Sequence, residues 1–139
     1  MIDIVDKNRR SELMRGIRSR DTKPELKVRK AAHSLGLRFR LHRKDLPGHP
    51  DVVFPKYGAV ILVHGCFWHR HKGCSKAYSP KSNRIFWQRK FAVNISRDRR
   101  VETELKGLGW RILKIWECET HNPIGLRRRI ARFFGTRQK

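Results

Sequence analysis

The sequence predicts an α/β fold: one domain over residues 23–139, built on a mixed central sheet flanked by helices, with a basic arm over residues 1–22. Three observations carry this. Residues 22–36 and about 84–108 set apolar side chains at helical spacing. Three short strand-like runs lie between them, and a fourth follows the second helix. The order is helix, three strands, helix, strand, helix, with no internal repeat, in 139 residues, a length that suits one core.

The arm carries Asp3 and Asp6, then Lys7, Arg9, Arg10, Arg15, Arg18 and Arg20. Residues 11–17 bring Leu13, Met14 and Ile17 near one another in a turn too short to be stable alone. The arm therefore reads as a segment that orders on a partner, and equally as a free tail. Thr22 or the residue beside it caps the first helix, Pro24 suits its first turn, Glu25 complements its dipole, and Gly36 ends it. Leu26, Val28, Ala32 and Leu35 supply its apolar face. Residues 38–42 alternate as a strand, residues 46–50 turn, Asp51 opens a second strand, and residues 59–63 are a fully apolar third. In the long helix Trp87, Phe91, Ile95, Val101, Leu105 and Leu108 form the stripe, with residues 97–100 on the polar side. Residues 110–117 form a fourth strand ending at Cys118. Asn122 and Pro123 start a final helix with Leu126, Ile130, Phe133 and Phe134 inward and Arg127–Arg129 outward.

Lys and Arg number 34 against 12 Asp and Glu, a formal charge of +22. Such an excess points to a polyanion, nucleic acid above all, rather than to a merely solvated surface. No apolar run is long enough to span a membrane. An odd cysteine count and an amino-terminal stretch without the pattern of a signal peptide lead us to expect a reducing compartment.

The chain is organised around residues 63–74, which hold three of the 7 histidines and two of the 3 cysteines. Cys66, His71 and Cys74 are ligand types that zinc prefers, and Cys118 could close a tetrahedron. Spacing leaves His64, His69 and His71 all open as the imidazole ligand, and the same cysteines would read as small buried apolar residues if no metal were bound. Phe67 and Trp68 either fill the core beside the cysteines or reach the surface with their basic neighbours Arg70 and Lys72. The short turn between the second and third strands brings Asp51 near Val63 and His64, where a carboxylate can hold Mg2+; an Asp after Pro50 also suits a plain turn.

Residues 46–53, residues 63–71, Asn94 with Arg97 and Asp98, and residues 109–118 together resemble the very short patch repair (Vsr) endonucleases. The likeness extends from about Lys7 to Cys118. It implies the PD-(D/E)xK, restriction-endonuclease-like fold and a Mg2+-dependent enzyme that nicks one DNA strand 5' to the T of a T:G mismatch left by 5-methylcytosine deamination. Under it, Asp51 and the backbone carbonyl of Val63 hold Mg2+, and His69 activates the attacking water. His64 and Glu25 support the active site. Cys66, His71, Cys74 and Cys118 hold a structural zinc. Phe67 and Trp68 wedge into the DNA stack while Met14 enters from the other groove. Such wedges are cheapest at a mispair.

The chain departs from the wider nuclease motif in two ways. Its second motif strand, residues 61–63, has neither Glu nor Lys, and Val63 stands where threonine is expected of the family. The rival readings are a restriction-type duplex cutter of the same superfamily and a non-catalytic zinc-stabilised DNA-binding protein. Nothing in the sequence resembles a self-complementary interface, so a monomer is expected, and the resemblance places it in the bacterial cytoplasm, associated with the nucleoid. Mismatch-repair proteins and a cytosine-5 DNA methyltransferase are its candidate partners.

Overall fold

The computed structural model describes residues 22–135, so the arm, Met14 included, lies outside the described residues. Three helices enclose a four-stranded sheet: α1 (Lys23–Ser34), β1 (Arg40–Leu41), β2 (Val52–Phe54), β3 (Ala59–His64), α2 (Arg84–Gly107), β4 (Arg111–Trp116) and α3 (Pro123–Phe134). The strands lie in the order β1-β2-β3-β4. β1 and β2 pair antiparallel, as do β2 and β3, whereas β3 and β4 run parallel because α2 carries the chain back across the sheet. The element order is the one the sequence predicts. None of the described helices is long and apolar enough to cross a membrane.

Side chains of a strand alternate between faces, and here both faces are covered. One core joins Val52, Phe54, Ile61, Leu113 and Ile115 to Val28 and Ala32 of α1 and Leu126 and Ile130 of α3. The other places Val53, Val60 and Leu62 under Leu105 of α2, with Val101 alongside. This double burial explains why residues 59–63 are continuously apolar. Phe134 closes the first core by packing on Phe54 and Tyr57, with centroids 4.6 and 5.1 Å away. The caps form as expected: Thr22 accepts from the Glu25 amide, and Asn122 Oδ1 accepts from Gly125 at 3.1 Å.

Four expectations need correction. Leu26 is 49% exposed, while Glu25 is buried with Val28 and Ala32, so the inward stripe of α1 runs through a carboxylate. Leu108 is 62% exposed, because it caps α2 after the helix has left the sheet. The inward line of α2 passes through Phe91, Asn94, Asp98, Val101 and Leu105, which puts Asp98 inside rather than on the polar side. β4 ends at Trp116, and Cys118 sits in a 3-10 turn, Glu117–His121.

The loop before β2 is clamped against α2. Gly48 has φ of +71°, and a Cβ placed there would stand 2.5 Å from Val101 Cγ1. Gly48→Ala should therefore destabilise the protein by about 1–3 kcal/mol in urea unfolding, through overlap and left-handed strain together. Adding Val101→Ala should recover part of that loss by removing the overlap alone. Gly48→Ala unfolding at the wild-type midpoint would show that the loop is not seated on α2.

Candidate active site and metal centre

The connection from β3 to α2 is a run of tight turns. The amide of His69 donates to Gly65 O at 3.1 Å, that of His71 to Cys66 O at 3.0 Å, and that of Ala77 to Cys74 O at 3.0 Å. Arg70 (φ +55°) and Gly73 (φ +75°) take left-handed conformations that reverse the chain between turns. This winding separates the three histidines that spacing left open.

His71 turns toward the cysteines. Its Nδ1 lies 3.6 Å from Cys66 Sγ and 3.5 Å from Cys118 Sγ. The ligand atoms of Cys66, His71, Cys74 and Cys118 all fall within 4.8 Å of one another. A tetrahedral ion with ordinary metal–sulfur and metal–nitrogen bonds separates such atoms by about 3.6 Å, so the donor set fits a four-coordinate metal. The His71 ring is fixed by stacking on Trp116, 4.2 Å between centroids and 8° between planes. Burial, aided by neighbouring sulfurs, pushes the Cys66 thiol up to about 12, whereas the Lys76 amide draws the Cys74 thiol down. A bound cation favours the thiolate form throughout the cluster.

His64 and His69 turn the other way. Their rings stack at 3.9 Å and 7°, and His69 Nδ1 meets Asp98 Oδ2 at 2.6 Å. Burial would raise the Asp98 carboxyl, but the hydrogen bond and charge of His69 hold it below its ordinary value. With Nδ1 donating to Asp98, Nε2 is the His69 nitrogen that carries the ring's lone pair. Burial, then the charge of His69, depresses His64 to about 3, so this ring stays neutral near pH 7. Although His64, His69 and Asp98 lie close enough to be considered as metal ligands, lone pairs lie in the ring planes, and parallel stacked imidazoles do not converge on one ion. The arrangement is a stacked pair of rings with one nitrogen held by a carboxylate, rather than a chelate.

Asp51 completes the site from the other side. Its Oδ2 accepts the Val63 amide at 2.9 Å. Burial raises its carboxyl to about 7; the Val63 amide opposes this, and the nearby Glu25 carboxyl adds to it. Glu25 Oε2 is 3.3 Å from Arg29 Nη2 and 3.8 Å from His42 Nε2, and Arg29 Nη2 is 2.9 Å from that same His42 nitrogen. Oxygens of Glu25 and Asp51 lie within 4.8 Å of each other and of a His42 nitrogen. Two crowded carboxyls with oxygen donors suit a hard divalent cation, which relieves their repulsion. Within a strand a residue's amide and carbonyl share one edge, so the Val63 carbonyl points along the edge that Asp51 occupies.

Phe67 and Trp68 belong to neither main core. Phe67 packs with Trp68, Tyr78, Trp87 and Phe91 at centroid distances of 5.1–5.5 Å. Trp68 also meets Trp87 at 5.8 Å, and its carbonyl accepts from Asn94 Nδ2 at 3.3 Å. The three rings Phe67, Trp68 and Trp87 are half-buried, bordered by the exposed Tyr78 and Phe86, so they form a shelf open on one side.

Among the site residues predicted from sequence, Asp51, Glu25 and Val63 come together, as do His64 with His69 and the four metal-cluster residues. Sequence reasoning missed Asp98 as the partner of His69, and Arg29 and His42 beside Glu25. The signal for Asp98 was present: Phe91, Asn94, Asp98, Val101 and Leu105 keep helical spacing more evenly than a stripe through Ile95. His42, with φ of +48°, had no such signal.

Residues 2–76 match the family described as DNA mismatch endonuclease Vsr. The chain is 48% identical over 130 residues to the type II nicking enzyme V.XorIIP of Xanthomonas oryzae pv. oryzae, covering 94% of this chain and 95% of that one. It is 43% identical over 132 residues to the type II nicking enzyme V.NmeAIP of Neisseria meningitidis, covering 95% and 94%. It is 44% identical over 118 residues to the DNA mismatch endonuclease Vsr of Escherichia coli, covering 85% and 75%.

The raised Asp51 carboxyl has a thermodynamic consequence. An unfolded Asp titrates near about 3.9, so folding favours the protonated form. That stabilisation is complete below about pH 4 and is lost as pH rises through the folded value of about 7. Without divalent metal, Asp51→Asn should be more stable than wild type at pH 8 by on the order of 1–3 kcal/mol, the gap closing near pH 4. His64 titrates in the opposite sense but is common to both proteins and cancels. Urea unfolding at the two pH values measures the gap, and equal gaps would show that Asp51 is not strained by its burial.

Proposed function

The chain belongs to the DNA mismatch endonuclease Vsr family, and from that premise we propose that it nicks one strand of double-stranded DNA 5' to the T of a T:G mismatch, using Mg2+ for chemistry and zinc for structure. The observation that carries this reading is a juxtaposition at the end of β3. Asp51 takes the amide of Val63, and the next residue, His64, lies against His69, whose Nδ1 is held by Asp98. A metal-type carboxylate and an oriented histidine are thus locked to adjacent residues of one strand.

Asp51 and the Val63 carbonyl would hold Mg2+, supported by Glu25; when bound, it supplies positive charge to the phosphate under attack. The rest falls to the chain's own groups. His69 Nε2 takes the proton of the attacking water, Asp98 fixes the tautomer and steadies the imidazolium that results, and His64 keeps the ring in place by stacking without adding charge. Cys66, His71, Cys74 and Cys118 would hold zinc, a choice supported by the three thiols and the tetrahedral spacing. The half-open shelf of Phe67 and Trp68, with Trp87 beside them, supports the wedge. We assign Met14 in the arm to the opposite groove. Insertion costs a few kcal/mol of unstacking, less at a wobble pair, which gives the preference for a mismatch. The +22 charge supports tight, sequence-independent phosphate contact. We place the enzyme as a monomer in the bacterial cytoplasm, acting at the nucleoid, with mismatch-repair proteins and a cytosine-5 methyltransferase as candidate partners.

Nicking of T:G, T:A and abasic duplexes in Mg2+ tests the reading. The expected result is one nick, in the T strand of the T:G duplex. Cutting of both strands of T:A would indicate a restriction-type enzyme, and binding without cutting a non-catalytic protein. Asp51→Asn and His69→Ala should each lower nicking by at least about 100-fold while leaving T:G affinity within a fewfold of wild type; wild-type rates in either would remove that residue from the chemistry. Elemental analysis should find one zinc per chain, and Cys118→Ser should lose both zinc and thermal stability. Trp68→Ala should keep its fold and zinc but lose most of its preference for T:G over T:A, and an unchanged ratio would return Trp68 to a packing role.

A further inference from the structure

Arg70 sits between the two histidines of different fate, yet its guanidinium is turned away from both. It donates to three backbone carbonyls, from Nη1 to Tyr78 O at 2.9 Å and Phe67 O at 3.4 Å and from Nη2 to Ala77 O at 3.0 Å, and it reaches Ser79 Oγ at 3.4 Å. The same group lies over the Phe91 ring, 3.9 Å from its centroid, and 5.7 Å from that of Phe67. The backbone accepts a left-handed φ of +55° at a residue with a Cβ to make this possible. Hydrogen bonds aimed at carbonyls and a face lying on an aromatic ring occupy the guanidinium, so it is not poised as a phosphate-binding cation.

We propose that Arg70 is a positioning residue for mismatch discrimination: a strut that ties the Phe67–Trp68 segment to residues 77–79 and to α2, so that the aromatic shelf enters the duplex as a rigid body. This rests on the reading of those rings as the DNA wedge. The physical argument is one of preorganisation. A compliant loop adapts its rings to a paired duplex and to a mispaired one, spending binding energy on its own ordering in both cases. A fixed shelf passes the difference in opening energy directly into the rate. Only a planar fork can meet several carbonyls while stacked on a ring; a lysine ammonium supplies the same charge without that geometry.

Two variants separate the strut from a charge and from a mere fold requirement. Arg70→Lys keeps the charge. Arg70→Gly removes the side chain at a position whose backbone angle favours glycine, so the turn itself is retained. Both are read as full-length, zinc-containing protein by kcat and KM on T:G and T:A duplexes, by the salt dependence of duplex binding, and by hydrogen exchange across residues 65–80. The strut predicts that the T:G to T:A ratio of kcat/KM falls by about tenfold or more in both variants, a change of about 1.4 kcal/mol, while kcat on T:G stays within about threefold. Exchange should quicken in the loop, the salt slope should remain that of wild type, and added ethylguanidinium should restore the ratio in Arg70→Gly. An unchanged ratio in a folded, zinc-replete variant overturns the proposal. So does a salt slope reduced by about one in Arg70→Gly with equal loss on both duplexes, the mark of a phosphate contact. Wild type that shows no T:G preference removes the mismatch reading itself, and that outcome is distinct from a wild-type preference that both variants share.

Discussion

The approach of the His71 imidazole to Cys66 and Cys118 is the contact on which the rest of the site depends. The chain between β3 and α2 contains no regular secondary structure, and hydrophobic burial alone does not hold such a connection to within a fraction of an ångström. The contact of His71 with Cys118 ties it to the turn after β4, 47 residues further along. Trp116 then serves both sides of the loop: His71 stacks on its face at 4.2 Å and His64 meets it edge to face at 5.3 Å. His71 of the cysteine cluster and His64 of the stacked pair are thereby referred to one indole that is itself fixed in the sheet.

The site is assembled against local electrostatic preference. Asp51 is held where burial and Glu25 oppose its charge, and His64 where burial opposes its protonation. Groups pushed apart in this way are a common mark of working sites, because a fold selected only for stability would not keep them. The surrounding cores supply the rigidity that tolerates the strain. Val63 packs against the first core and Leu62 belongs to the second, so the strand that anchors Asp51 and carries His64 is gripped on both faces.

Much of this was legible in the sequence, for identifiable reasons. Both-sided burial leaves an unmistakable apolar run at residues 59–63, and Pro24, Asn122 and Pro123 mark helix starts through local chemistry alone. Cysteines flanking a histidine announced a possible metal cluster; spacing alone left His64, His69 and His71 open, the family resemblance chose His71, and the fold brings His71 to the cysteines. The phase of the helices was harder to read. Counting apolar residues favoured Leu26 over Glu25 and Ile95 over Asn94, because a stripe that lines a polar site carries polar residues on its buried side. Asp98 was assigned to solvent for the same reason. The spacing of α2 marks Asp98 as inward, but its pairing with His69 spans 29 residues and is not written in that spacing. Cys118 was expected at a strand end and lies instead in the turn beyond it, where the chain can bend toward His71.

The two halves of the site are anchored to neighbouring residues of β3 that face opposite ways, and this distributes evolutionary freedom unevenly along the strand. At position 63 the hydrogen bond to Asp51 comes from the main chain. Any residue with an amide hydrogen and a side chain shaped for the first core satisfies it, so valine can stand where a threonine is expected, while proline alone is excluded chemically. At position 64 the contact with His69 is made by the ring itself. Insertion or deletion of one residue in β3 would exchange the two faces, pointing the imidazole into the first core and a core side chain toward His69. Sequence drift can therefore pass through position 63 by substitution, but a change of length in this strand would have to be matched by the opposite change within it before the lineage could keep its chemistry.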